Sequence, residues 1–358
     1  MLTAVFKKNR AALGRIGLEF DTHGLFCAQV RQDGKAWKII QSRAFAAGED
    51  VLTGNRPNGS LVPFASTELL MAAAGFRGSD VASVLPMEAC DLRMMELPAV
   101  NAAELTQMVS GEIESMMPQN TLFDFWQLPE GMATRKDVTG ICSLCTDRVL
   151  VSETVDSIHK AGFTISGIDG LPTACARATA MMCDSEVASV PSQDSGLRMA
   201  LHIGWKSCLL VLVRDGVPVL ARVPQVGGLH SFLMLVADCL KLSVPGALRL
   251  IRGIHQGLPV HLASVLECRI SSAARNWCLP ICEEILRSIA FAKRPGLRMV
   301  PSACIVMGAG GVVPKLADIM SLELNMEVLP WSLPCDSGCS SGPEYAIAAA
   351  LSGWEIDS

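Results

Sequence analysis

Two stretches of this chain follow one pattern. The first, "RIGLEFDTHGLFCAQVRQDGKAWKIIQ", begins at Arg15; the second, "RMALHIGWKSCLLVLVRDGVPVLARV", begins at Arg198. Each opens with an apolar run and passes through a short polar loop, at 21–24 and 204–207. A second apolar run then ends in Asp-Gly, at Asp33-Gly34 and Asp215-Gly216. An Asp-Gly pair between apolar runs is a strong hairpin signal. Each half is therefore expected to open with strand, polar turn, strand, Asp-Gly turn and strand. Helical patterns follow both openings. In the first half they cover Glu104–Met117, stopped by Pro118, and Ser152–Gly162, with Ser152 as N-cap and Gly162 as stop. In the second half they cover Leu229–Leu242, Leu262–Lys293, kinked or broken near Pro280, and Lys315–Leu324. The pattern predicts a duplicated α/β fold, of the kind in which two hairpins grip phosphates between two halves.

Near the C-terminus lies "IVMGAGGVVPKL", residues 305–316. Three readings apply. A dinucleotide fingerprint needs G-x-G-x-x-G, but Val313 takes the third glycine position and little chain remains to complete such a domain. A bare strand-to-helix turn would bind nothing. In a duplicated phosphate-gripping fold, the same turn, 307–314, is expected to hold an adenosine through Gly308, Gly310 and Gly311.

With 358 residues the chain is long enough for two domains and a large core, and a net charge of −5 without a Lys/Arg cluster argues against nucleic acid. The basic residues Lys7, Lys8, Arg10 and Arg15 come after the first apolar residues, the reverse of a secretory signal. The longest apolar helix candidate, 229–242, is too short to span a bilayer and carries Asp238 and Lys241. A cytoplasmic location is expected, with the basic lead either solvated or grazing an anionic membrane face. Of the 14 cysteines, Cys142 and Cys145 have metal-type spacing, but no second pair follows at zinc-ribbon distance. Several of the cysteines sit in apolar runs, as Cys208 does, where a free thiol acts as a small hydrophobe.

Taken in order, several segments resemble the PilM family of pilus-assembly proteins, relatives of the cell-division protein FtsA. "KKNRAALGRIGLEFDTHG" is similar to that family's opening, a basic lead followed by I-G-I-D-I-G-S-S. "VLPMEACDLRMMELPAV" is similar to its strand pair, and "DRVLVSETVDSIHKAGFTISGIDGLPTACARA" to its helix, A-G-L turn and V-D-V-E segment. "RVPQVGGLHSFLMLVADCLKL", "ICEEILRSIAFAKR", "MGAGGVVPKLADIM" and "YAIAAALSGWE" match later blocks. The resemblance implies an actin-like (ribonuclease H-like) α/β fold of two domains, 1–190 and 191–358, with a small α+β subdomain inserted at about 80–179. It also implies a cytoplasmic protein at the inner face of the membrane. Such a protein belongs to the platform of a type IV pilus or related secretion machine and binds the N-terminal cytoplasmic peptide of a PilN-like single-pass membrane protein. The groove for that peptide is expected near Met87–Pro98 and Asp169. Most members bind ATP with a metal ion.

The departures from the family fall on the phosphate loops. The expected nucleotide-site positions are Glu19, Asp21, Thr22, Gly24, Gly204, Lys206, Ser207, Gly227, Gly228, Gly308, Gly310 and Gly311. The first loop's family acid is lengthened to Glu19, its glycine is Asp21 and its lysine is Phe26. The second loop's acid is His202, and Trp205 enlarges the turn. An extra carboxylate beside a triphosphate costs Coulomb energy, and magnesium prefers oxygen ligands to imidazole. Hydrolysis is not expected, and ATP with Mg is the cofactor only if the altered loops still grip phosphate. The leading expectation is a non-catalytic scaffold. The alternatives are an actin-like ATPase with nucleotide-regulated partner binding, a polymerising FtsA-like protein, and the cytoplasmic half of a secretion protein with its own span.

Overall fold

A computed structural model describes residues 12–21, 24–46, 75–129, 135, 137–185, 196–255, 257, 260–292 and 300–354. The strands β1 (Ala12–Leu13), β2 (Ile16–Asp21), β3 (Gly24–Asp33), β4 (Ala36–Ala46) and β5 (Asp80–Leu85) open the chain. There follow β6 (Cys90–Pro98), α1 (Ala102–Met116), β7 (Thr121–Gln127), β8 (Val138–Asp147), α2 (Arg148–Lys160), β9 (Thr164–Gly170) and α3 (Leu171–Asp184). The second half holds β10 (Leu197–Ile203), β11 (Cys208–Arg214), β12 (Val217–Arg222), α4 (Leu229–Leu240), α5 (Val244–His255) and α6 (Val260–Ala292). It closes with β13 (Ala303–Met307), α7 (Leu316–Leu324), β14 (Glu327–Pro330) and α8 (Ala346–Ser352).

The repeat read from the sequence becomes two sheets of one topology. The first has the order β4-β3-β2-β5-β9, with the short β1 also on β3; the second has β12-β11-β10-β13-β14. In each, the first three strands form an antiparallel meander, and two parallel strands extend it on the other side of the first. This is the duplicated architecture of the actin-like fold. The Asp-Gly turns form as expected, with Gly34 at φ 67° and Asp215 and Gly216 at φ 51° and 76°. Asp and Gly tolerate these left-handed values.

Of the stretch 80–179, β5, β9 and α3 belong to the first half's own layers. The separate unit is a three-stranded sheet, β6-β8-β7, whose core of Leu97, Leu105, Val109, Ile113, Ile141 and Cys145 packs under α1. Cys142 and Cys145 are three apart on β8, so strand alternation turns them to opposite faces and they do not share a ligand. Helix bounds shift in two places. Asp147, not Ser152, caps α2, its carboxylate accepting from the Val149 N–H. The run 229–242 ends at a left-handed Lys241, and α5, which the periodicity left unassigned, follows. Pro280 lies inside one continuous helix, α6.

The last helix crosses back to the first half. α8, sequence AIAAALS, is buried along its whole length and lies on β2 and β3. Only glycine at position 17 permits this, since a Cβ there would stand 1.8 Å from the Ala348 carbonyl oxygen. Ser352 fixes the contact, accepting from the Val30 N–H and donating to the Arg15 carbonyl. The elements from β10 onward therefore build one half, and the last of them packs on the other.

Candidate functional site

β2 and β10, the first strands of the two sheets, end facing each other across the cleft between the halves. Each carries a polar residue one pleat before its turn: Glu19 on β2 and His202 on β10. Their side chains meet, with Glu19 Oε1 2.9 Å from His202 Nε2. Both residues are nearly inaccessible, at 4% and 6% exposure. Burial pulls the His202 pKa down, but the hydrogen bond and charge of Glu19, aided by Asp21 and Glu88, outweigh it and hold the imidazole above its ordinary value. The pair is thus a buried carboxylate–imidazole bridge between the halves.

Two further carboxylates from the first half reach the second half's turn. Asp21 Oδ2 accepts from the backbone N–H of Trp205 at 2.9 Å. Glu88, on the one-turn 3-10 helix Met87–Ala89 that follows β5, accepts from the Ser207 hydroxyl at 2.6 Å. The turn's remaining backbone is used internally. Gly204 N–H donates to Ser207 O, and the first amides of α4, Leu229 and His230, donate to Gly204 O and Trp205 O. Helix N-terminal amides of this kind otherwise present an anion site; here carbonyl oxygens take them.

The cavity left around this cluster is about 240 Å³ and is lined by Glu19, Asp21, Glu88, His202, Lys206 and Ser207 among apolar neighbours. The structure therefore brings together Glu19, Asp21, Gly204, Lys206 and Ser207 of the expected positions. Gly227 and Gly228 lie behind them: Gly227 pairs with Ser207, and a Cβ on Gly228 would stand 2.3 Å from Gly204 O. Gly24 lies outside this cavity, against the Phe45 carbonyl of β4. Thr22 falls outside the described residues. Glu88 was missed. Its sequence signal is its place just beyond the carboxyl end of a parallel strand, where open α/β sheets put their ligand contacts.

The glycine turn has a different neighbourhood. Gly308 has φ 83°, and a Cβ there would meet the His202 ring at 2.8 Å. A Cβ on Gly310 would stand 2.2 Å from Ile203 Cγ2, and one on Gly311 would stand 2.4 Å from Pro343 Cβ. The room these glycines leave is thus filled by the protein itself. The residues present do not fit ATP with magnesium. Asp21 takes the Trp205 N–H and Glu88 the Ser207 hydroxyl, carbonyl oxygens take the first amides of α4, and an imidazole stands at position 202. The bridge Glu19–His202 occupies the gap between the first strands of the two sheets. Among the described residues, no group of three or more His, Cys, Asp or Glu is arranged to hold a metal ion.

No protein-family model matches the chain, and no curated protein matches it in sequence. Solved structures do match it in fold. One described as a PilM-PilN type IV pilus biogenesis complex superposes with a TM-score of 0.72 at 20% identity, covering 95% of this chain and 97% of that one. The ethanolamine utilization protein EutJ from Carboxydothermus hydrogenoformans superposes with a TM-score of 0.51 at 12% identity, covering 96% and 90%. The fold of this chain is the one these proteins share. Among the described residues, no single helix is long and apolar enough to cross a membrane.

Proposed function

We propose that this chain is a non-catalytic scaffold of a type IV pilus or type II secretion-like assembly platform. In this reading it sits at the cytoplasmic face of the inner membrane and binds the N-terminal cytoplasmic peptide of a PilN-like single-pass protein. One observation carries the non-catalytic half: three carboxylates of the first half, on Glu19, Asp21 and Glu88, already sit on the polar groups of the second half's loop. A cleft closed by its own side chains needs no nucleotide to bring its halves together. The partner half rests on the full-length likeness in fold to the PilM-PilN complex, with 1–190 and 191–358 taken as the two actin-like halves.

The peptide groove is placed along β6, between the small sheet and the first half. There Met94 is half exposed, and among the described residues β6 ends the small sheet, the position at which strand addition occurs. Asp169 is a poor contact for the peptide, because its carboxylate already holds Thr173, the Gly170 N–H and Arg177. The experiment is a calorimetric titration with the synthetic N-terminal peptide of the membrane partner, with and without ATP and magnesium. Peptide binding that is the same in both, and lost on Met94→Asp, supports the reading. Peptide binding that requires ATP, or an ATP-dependent rise in Tm, overturns the nucleotide-free scaffold.

A further inference from the structure

A second cavity, of about 460 Å³, opens at the other end of the cleft, where β3 faces α5 and the segment leading to α8. That volume is in the range of small-molecule pockets. One wall is apolar, made by Phe26, Leu248 and Val312. The other carries two opposite charges. Arg252, on α5, is half-buried and makes no hydrogen bond or ion pair among the described residues. Glu344 is also half-buried, and its Oε2 is fully covered yet has no hydrogen-bond partner. The two face one cavity without bonding each other. Burial is the largest influence on both, pulling the Arg252 pKa down and pushing that of Glu344 up, and the charge of each offsets only part of this on the other.

Buried charges are costly unless paired. A purely anionic ligand would satisfy Arg252 while repelling Glu344, and a cation would do the reverse. A molecule carrying both signs on adjacent atoms answers both. We propose that this cavity binds a small zwitterion of the α-amino-acid type. Its carboxylate lies on Arg252, its ammonium on Glu344, and an apolar side chain lies against Phe26, Leu248 and Val312. Each contact is a charge-assisted hydrogen bond in a partly dry site, where such bonds are strongest. This site does not depend on the scaffold function or on a membrane partner.

The test uses the full chain and three related probes: leucine, N-acetyl-leucine and leucinamide. The first has both charges, the second lacks the ammonium and the third lacks the carboxylate. Leucine at a hundredfold excess over its Kd is expected to raise Tm by about five to ten degrees, with both blocked forms at least about tenfold weaker, a loss of one ion pair's worth of affinity. Glu344→Gln and Arg252→Gln should each abolish the leucine response while keeping a cooperative melt. If either variant fails to fold, the three probes on the unaltered chain decide. Silence toward leucine, phenylalanine and methionine up to about 10 mM, equal binding of the blocked forms, or a response to adenosine alone would each overturn the proposal.

Discussion

The two ends of the cleft stand on the same duplicated frame and have met opposite fates. At one end, the turns of β2 and β10 are sealed: Glu19 pairs with His202, Asp21 caps the Trp205 amide, and Glu88 takes the Ser207 hydroxyl. At the other end, the turn 308–312 keeps its glycines, and beside it Arg252 and Glu344 face an open cavity without bonding each other. On the proposed reading, the contrast teaches that a ligand site can be lost while its backbone is kept. A phosphate cradle is a set of donors converging on one point. Here Asp21 takes the Trp205 N–H and Glu88 the Ser207 hydroxyl, while Glu19 pairs with the His202 ring, so three carboxylates of one half bond the other.

The sharpest way to break this contrast is to remove one side of the buried bridge. Glu19→Ala leaves His202 buried beside Asp21 and Glu88, and loss of one partner of a buried pair costs about 3–5 kcal/mol. Urea denaturation measures it, and a loss below about 1 kcal/mol would mean that the bridge is not what joins the halves. Next in size is Gly310→Ala. Its Cβ would collide with Ile203, so about 2–3 kcal/mol of overpacking is expected. Gly204→Ala serves as its control, because the nearest atom there is 3.4 Å away, and it should stay within about 0.5 kcal/mol. Equal costs at the two glycines would mean that the glycine turn is not the more tightly packed.

Asp21→Ala ranks third. It frees the Trp205 N–H from a charge-assisted bond, worth about 1.5–3 kcal/mol, while Asp21→Asn keeps a neutral acceptor and should cost less. The same pair tests the anion argument: inorganic phosphate or ATP should stabilise Asp21→Ala more than the unaltered chain, and an equal response would remove Asp21 as the blocking group. The smallest effect is on pH. His202 has its folded pKa raised above its ordinary value of about 6.5. Its contribution is therefore fully present below that value and is lost as pH rises through the raised one. Stability should fall over that window in the unaltered chain and stay flat there in Glu19→Ala. A parallel slope in both would assign the pH dependence to another group.

Much of this was legible in the sequence, because it follows from local pattern. Two apolar runs around a polar turn, closed by Asp-Gly, are a strong meander signal, so both opening meanders and the identity of their polar turns could be read directly, but not the parallel strands that extend them. The replacement of glycine by Asp21 and of an acid by His202 likewise marked the phosphate loops as altered. What those replacements do could not be read, because the partner of each lies in the other half. Glu19 and His202 are 183 positions apart, and only the packing of one sheet against the other makes two substitutions into one bridge. Glu88 entered the site because the turn after β5 is carried over the cleft, and α8 left its own half because Gly17 opened a seat for it on the other. Periodicity reports what a segment buries; it does not say which distant segment covers it. The chain alone therefore determined two similar halves whose opening turns carry Asp21 and His202 where the family it resembles has a glycine and an acid. The tertiary structure decided that these residues bond one half to the other, because distance in space, not in sequence, sets whether charges meet.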